Sequence, residues 1–419
     1  MTNSLSDEKN KIITSSQKNS LGVFPKEWDK KKLSDINKIS TGATPLRSVL
    51  EYFGNDIPWV KTTDLNNSYI YETEEKVTEL ALRKTSIKLV RSNSILIAMY
   101  GGFNQIGRTG LMKVEGTTNQ AISSFFVDEK EFNSDFVLHW LNLYRPHWRR
   151  FASSSRKDPN ITKQDVENFP IMKPSYEEQK KIANILLAWD KAIKLKERLI
   201  EHKKELKRGL VQNLLTGEVR LPGHANMNRK KTKLKGLIRE VKLRNKNNSV
   251  SRILSVTNVR GFIEQSEQFS RQVASLDISN YKVVKHGQFA YNPSRVNVGS
   301  IDLLKTFELG VLSPMYVVFE TEENKLLPEY LYHFTKSKMF LNQMKNLLQG
   351  SVRQSLNFDA LSLMKFYIPE SIKEQKKIAE ILSTADKEIN LLIESLESIK
   401  EQKKSLMQSL LTGKIRVKG

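Results

Sequence analysis

Two stretches of the chain space their apolar residues three, four or seven apart. The first carries Ile182, Ile185, Leu186, Trp189, Ile193, Leu199, Leu206, Leu210 and Leu214. The second carries Ile378, Ile381, Leu382, Ala385, Ile389, Leu392, Leu396, Ile399, Leu406 and Leu410. That spacing draws one apolar stripe along an α-helix. Each stretch follows a proline (Pro174, Pro369) and stops at a glycine (Gly217, Gly413), as helix ends prefer. Glu178 to Leu214 is 37 residues, or roughly 55 Å at a rise of about 1.5 Å per residue. A helix that long with so narrow a stripe needs a partner. The two charges suit one another: Glu178–Leu214 holds ten basic and five acidic residues, Glu374–Leu410 six and seven. An antiparallel pair is expected, with Ile182, Ile185, Trp189, Ile193, Leu199, Leu206 and Leu210 facing Ile378, Ile381, Ile389, Leu392, Ile399 and Leu406. The alternative is that each helix packs on its own globular domain.

The two helices are also copies. EQKKIA opens both, at Glu178 and Glu374; Leu-Leu-Thr-Gly closes both, with an arginine following, and the offset is 196 without a gap. Such a period is too long for a solenoid and implies a duplicated domain plus helix. The preceding segments are faintly related. Arg156–Ile171 matches Arg353–Ile368, Lys88–Ala98 resembles Lys282–Asn292, and Gly107 corresponds to Gly299. Both mix short β-branched runs (Ile95–Ala98, Tyr316–Phe319) with turn clusters and short helices (Ser134–Leu143, Pro328–Ser337). The expected organisation is a flexible tail at 1–20, an α+β domain at 21–173, a long helix at 174–218, a basic linker at 219–232, a second α+β domain at 233–368 and a second long helix at 369–419.

Composition narrows the function. The chain has 419 residues, enough for several domains, and 39% are apolar, which suits a globular protein. Cysteine is absent, which excludes disulfides, thiolate-bound zinc, iron–sulfur clusters and a cysteine nucleophile. Only six histidines are present, so no metal is expected. No apolar run approaches a membrane span and the N-terminus has no signal-peptide core, so a cytoplasmic protein is expected. Lys and Arg number 68 against 46 acids, a net charge of +22. That surplus points to a polyanionic partner. Ten of the positive charges lie between Arg220 and Asn248, against Glu240 alone.

Catalytic motifs fail on inspection. GFNQIGRT (Gly102–Thr109) nearly matches a phosphate-binding loop, but Arg108 replaces its lysine and a strand, not a helix, is expected to follow. Asn292-Pro293-Ser294 lacks the second proline and aromatic of an adenine-methyltransferase box. Glu178-Gln179-Lys180 and Glu374-Gln375-Lys376 have a nuclease-like E-x-K spacing but open amphipathic helices, where acids suit the helix dipole. The two domains differ most in their loops: IPWVKTTDLNN and MYGGFNQIGRTG in the first, ILSVTNVRGFIEQ and YNPSRVNVGS in the second. Those side chains can hydrogen-bond to base edges or stack on bases.

With these elements in order, the sequence resembles the specificity (S) subunit of a type I restriction–modification system. The resemblance rests on STGATP…IPWVKTTDL (Ser40–Leu65), LIAMYGGFNQIG (Leu96–Gly107), TNQA (Thr118–Ala121) and the duplicated EQKKIA and LLTG. It implies two similar α+β target-recognition domains separated by two long antiparallel coiled-coil helices, as a pseudo-twofold internal repeat. It implies double-stranded DNA, two modification (methyltransferase) subunits and restriction/translocase subunits as partners. S-adenosylmethionine and ATP with Mg would act on those partners, with no cofactor or metal in this chain. The second domain lacks the GxTP and WVK elements, so the two half-sites should differ. The expected base-reading residues are Lys61, Thr62, Asp64, Tyr100, Asn104, Gln105 and Arg108 in the first domain. In the second they are Asn258, Arg260, Asn292, Arg295, Arg353 and Gln354. A self-contained DNA methyltransferase or endonuclease, and a scaffold without a DNA role, are the alternatives.

Overall fold

A computed structural model of the chain describes residues 16–152, 160–224, 229–268, 277–349 and 355–417. The chain divides into two units, Met1–Lys196 with Ser395–Gly419, and Glu197–Glu394.

Unit 1 is built on a five-stranded sheet of β1 (Ser40–Thr41), β2 (Ser68–Ile70), β3 (Ser94–Ala98), β4 (Thr109–Met112) and β5 (Ile122–Phe126), in the order β1-β5-β3-β4-β2. Only the β4–β2 contact is parallel. Both faces of β3 are buried, so its sequence SILIA is continuously apolar. Ile95 and Ile97 enter one core, Leu96 and Ala98 the other, as the two-residue period of a strand requires. The first core also takes Phe136 and Trp140 of α1 (Ser134–Leu143), and Ile182 and Leu186 of the long helix α2 (Tyr176–Thr216). Asn133 caps α1 by accepting from Phe136 N at 3.0 Å.

Unit 2 repeats this plan with four strands: β6 (Ile238–Val241), β7 (Phe289–Tyr291), β8 (Ile301–Leu303) and β9 (Val317–Thr321), in the order β6-β9-β7-β8. Phe289, Tyr291 and Phe319 face a core completed by Tyr330 and Phe334 of α3 (Pro328–Thr335). Leu214 of α2 joins that core, as do Ile378 and Leu382 of the second long helix, α4 (Ile372–Leu411). Ala290 and Val318 face the opposite core. Gly217 and Gly413 follow the long helices with φ of +86° and +70°. At Gly413 a side chain would also strike Pro25, its Cβ 2.5 Å from the ring.

The long helices meet antiparallel in each unit. In unit 1, Lys403 of α4 pairs with Asp190 of α2, and Lys196 donates to Ser395 Oγ at 2.6 Å. In unit 2, Lys203 pairs with Glu388 at 2.6 Å and Lys207 with Asp386. As one number rises the other falls.

The seam differs from the expected one. Ile182, Ile378 and Ile389 are buried, and Ile185, Trp189, Ile193, Leu392, Ile399 and Leu406 are partly buried. Leu199, Leu206, Leu210 and Ile381 are exposed, Leu206 by half. From Ile182 the alternating steps of four and three reach 186, 189, 193, 196, 200, 203 and 207, and three of these places are lysines. Lys196, Lys203 and Lys207 lie along the seam by their alkyl stems and hand their ammonium groups to α4. Following apolar residues alone therefore steps sideways onto leucines of the outer face.

Two expected boundaries also move. Ser16–Asn19, assigned to the tail, is a strand paired with Gly22–Pro25. Arg229–Lys233, which begins inside the expected linker, is a strand paired with Lys365–Pro369. Its RKKTK sequence reads as linker because the strand is partly exposed and its charges dominate.

Candidate nucleic-acid interface

Strand register decides where the loops go. In unit 1 the last residue of β3, Ala98, faces the first of β5, Ile122, and Ile97 faces the first of β4, Thr109. Ser68 at the start of β2 aligns with Gly110, and Thr41 at the end of β1 with Ser123. Segments 42–45, 61–67, 99–108 and 119–121 therefore all leave one end of the sheet. These hold much of STGATP, IPWVKTTDL, LIAMYGGFNQIG and TNQA, the first-domain motifs of the resemblance. They are laced together: Ala43 N donates to Thr118 O (3.0 Å), Asn119 N to Val60 O (3.0 Å), Met99 N to Ala121 O (2.8 Å) and Asn67 N to Thr109 O (2.9 Å). The glycine of STGATP is forced by this closeness, since a Cβ on Gly42 would lie 2.1 Å from Thr118 O.

Loop 99–108 is shaped by Gly101, Gly102 and Gly107, whose φ values are +103°, +72° and +68°. Gln105 N and Ile106 N both donate to Gly102 O at 3.0 Å. Ile106 is buried, whereas Tyr100, Phe103 and Asn104 are exposed. Gln105 and Arg108 are half-buried, and Gln105 Oε1 is buried without a hydrogen-bond partner. Behind the loop stands RPHWRR (Arg145–Arg150). Arg145 donates to Asn104 O at 2.7 Å and to Ile106 O at 3.4 Å, and the Arg149 guanidinium lies 5.4 Å from the Phe103 ring. Burial, with Arg108 and Arg149 close by, holds Arg145 below the usual guanidinium range. Among the described residues no carboxylate pairs with any of these three arginines.

Lys61 and Asp64 sit at the same end but are engaged by their own unit. Lys61 is held by Glu75 (2.6 Å) and Glu74 (3.1 Å), and the Glu75 hydrogen bond raises its pKa. Asp64 accepts from Lys61 N at 2.7 Å and closes the turn containing Thr62. Arg47 completes the group, bonded to Glu75 at 2.5 Å and stacked on Phe53 and Trp59.

Unit 2 places its loops likewise. Tyr291 at the end of β7 faces Ile301 and Val317, the first residues of β8 and β9, and Val241 at the end of β6 faces Val318. Segments 242–245, 292–300 and 313–316 share that end. The hairpin Leu254–Thr257/Gly261–Glu264 joins them, because Ser300 Oγ donates to Val256 O at 2.5 Å. A Cβ on Gly299 would lie 3.8 Å from Asn258 Cβ. Asn258 and Arg260 flank Val259, which is 85% exposed, and Arg260 pairs with Glu267. Arg295 is exposed. Asn292 is buried and serves the turn: its Oδ1 accepts from Ser294 N at 3.0 Å. Arg353 and Gln354 lie outside the described residues.

Gly107 and Gly299 each take a left-handed conformation two residues before the equivalent strand. The two equivalent loops thus share a backbone feature and differ in side chains.

Several residues escaped sequence reasoning. Phe103, Arg145 and Arg149 are three; the signal was available as three arginines in six residues of RPHWRR. Lys242, Arg244 and Lys282 are three more. They lie together in unit 2, where burial, with Arg244 and Lys242 adjacent, keeps Lys282 below the lysine range despite Glu240. The E-x-K candidates are structural. Gln179 accepts from Asn133 N (2.9 Å) and donates to Pro174 O, and Gln375 accepts from Leu327 N (2.9 Å) and donates to Pro369 O. Each glutamine fixes the start of its long helix to its own domain.

A family model described as the type I restriction modification DNA specificity domain matches residues 25–204 and 237–401. The chain belongs to that family. Each matched stretch holds one of the two central sheets and part of a long helix. The chain is 30% identical over 181 residues to the type I restriction enzyme MjaIX specificity subunit of Methanocaldococcus jannaschii, a match spanning 42% of this chain and 41% of that protein. To the MjaVIII specificity subunit of the same organism it is 25% identical over 430 residues, 94% of each. The crystal structure of a type I restriction-modification S subunit from M. genitalium shares the fold. Its TM-score is 0.57 at 14% identity, covering 91% of this chain and 96% of that one. This chain is a specificity subunit of a type I restriction–modification system. Among the described residues no helix is long and apolar enough to cross a membrane.

Proposed function

We propose that the chain reads a bipartite DNA site, one half by each domain (21–173 and 233–368), and has no chemistry of its own. One observation carries this reading. In each unit, loops of unlike composition leave one end of the same sheet beside cations drawn together without an acid for each among the described residues. Tyr100, Asn104 and Gln105 would read one half-site; Asn258, Arg260 and Arg295 the other. Lys61, Thr62, Asp64 and Asn292 shape the loops that present them. Arg108, Arg149, Lys242 and Arg244 would hold phosphates. The helix pair sets the gap between half-sites and docks two modification subunits, in which S-adenosylmethionine acts on a flipped base. Restriction subunits using ATP and Mg complete a cytoplasmic complex.

The test is methylome sequencing of the host with and without the gene, then with residues 21–173 exchanged for another such domain. The expected result is a bipartite motif that vanishes without the gene and changes in one half only after the exchange. Methyl transfer or DNA cutting by the purified chain alone, given S-adenosylmethionine or Mg, would reject the reading.

A further inference from the structure

Phe103 stands half exposed at the tip of a loop that cannot fold it inward. Gly101 and Gly102 take φ values closed to most residues, and two amides converge on Gly102 O. Downstream, Ile106 is locked in the core, and a Cβ on Gly107 would lie 2.1 Å from Trp148 Cδ1, so the root is pressed against that indole. Arg145 ties the other side through Asn104 O and Ile106 O. The ring is therefore held out by the backbone, with the Arg149 guanidinium 5.4 Å away and Arg108 close to Arg145.

An apolar ring beside three guanidiniums that pair with no carboxylate among the described residues suits a partner that offers flat apolar faces edged by anions. Stacked bases between phosphates have that character. We propose that Phe103 is a wedge that stacks into the base pairs of the half-site read by unit 1, while Arg108 and Arg149 hold the flanking phosphates. Arg145 is a positioning residue for the loop. This rests on the DNA-reading function proposed above. The equivalent loop of unit 2, NPSRVNVGS (Asn292–Ser300), holds no aromatic residue, so the distortion should be one-sided.

The experiment uses the full chain assembled with its modification subunits, on the DNA site found by methylome sequencing. 2-Aminopurine is placed at successive positions in both half-sites, leaving out the methylated bases, which the modification subunits flip, and their stacking neighbours. The wild type should give a several-fold fluorescence rise at one step of the unit 1 half-site and none in the other. Phe103→Ala should abolish the rise and weaken specific binding about tenfold at unchanged salt dependence, while Phe103→Trp keeps it. Arg149→Ala should keep the site but lower the slope of log affinity against log salt by about one. Melting curves check that Phe103→Ala folds. Binding without any rise, or a rise that survives Phe103→Ala, overturns the wedge and leaves DNA reading intact. Failure of the wild-type complex to bind any site overturns both.

Discussion

Arg416 grips Glu178 across 238 residues, its Nε 2.7 Å from Oε1 and its Nη2 2.8 Å from Oε2. Glu178 opens the first EQKKIA; Arg416 follows the second LLTG. The converse pair is also made. Arg220, which follows the first LLTG, donates to Glu374 of the second EQKKIA at 3.3 Å, and Arg229 adds a bond at 2.8 Å. Each repeat's glutamate is thus held by an arginine at the far end of the other. The two motifs recur together because they are halves of one lock. Both carboxylates are buried, where an arginine partner offsets the cost of taking a carboxylate out of water.

Removing Arg416 leaves Glu178 with Trp28 Nε1, 3.2 Å away, as its other bond from a side chain. Arg416→Ala should destabilise the chain by about 3–5 kcal/mol, the usual cost of stranding a buried charge. Arg220→Ala should cost less, since Arg229 still holds Glu374. Denaturant unfolding of the full chain measures both; equal losses would contradict the geometry.

Two buried histidines should add to the acid sensitivity of the fold. His139 lies 3.7 Å from Asp190, and His333 lies 3.8 Å from Asp386. Each aspartate is also claimed by a lysine of the opposite long helix, Lys403 or Lys207. Burial outweighs the carboxylate, and both imidazoles are lowered to about 4. Unfolded, they would titrate near 6.5. Their stability contribution is therefore fully present above about pH 6.5 and lost as the pH falls towards 4, by roughly 3 kcal/mol each. Unfolding midpoints should drop across that window, and the double variant His139→Gln/His333→Gln should flatten the drop.

If the helix pair sets the gap, matched deletions should shorten it. Glu197–Lys203 and Glu388–Glu394 are seven residues each and face one another in the antiparallel register of Lys203 with Glu388. Removing both keeps the seam in phase and shortens each rod by about 10 Å, or roughly three base pairs. Methylome sequencing should show a shorter gap between unchanged half-sites. Removing either segment alone should unpair the helices and abolish methylation.

Lys61 and Arg108 should separate in their effects. Lys61→Ala breaks the bonds to Glu75 and Glu74 and should lower stability without changing the salt dependence of DNA binding. Arg108→Ala should do the reverse, lowering the salt slope by about one with the melting temperature preserved. Titrations of the assembled complex at several salt concentrations decide this.

What the sequence showed was whatever rests on period and punctuation. The long helices, the duplication and the Gly107–Gly299 correspondence are all local patterns or copies, legible without coordinates. The seam of α2 was not, because Lys196, Lys203 and Lys207 occupy it and a hydrophobicity rule discards lysine. The turn bonds of Asp64 and Asn292 were not legible either, for another reason. Their types suit base reading, yet both are consumed by the turns they sit in. Arg145 and Arg149 became visible only when folding set them behind loop 99–108, more than 36 residues away along the chain.

The lysines of the seam have one more effect. A slide of either rod by a heptad would put the Lys207 ammonium opposite Ala379 or Ile393 and leave Asp386 facing Ile200 or Leu214. Such misfits are more costly than a slipped row of leucines. The joint is keyed: a sparse greasy zipper would tolerate several alignments, and this one admits a single alignment.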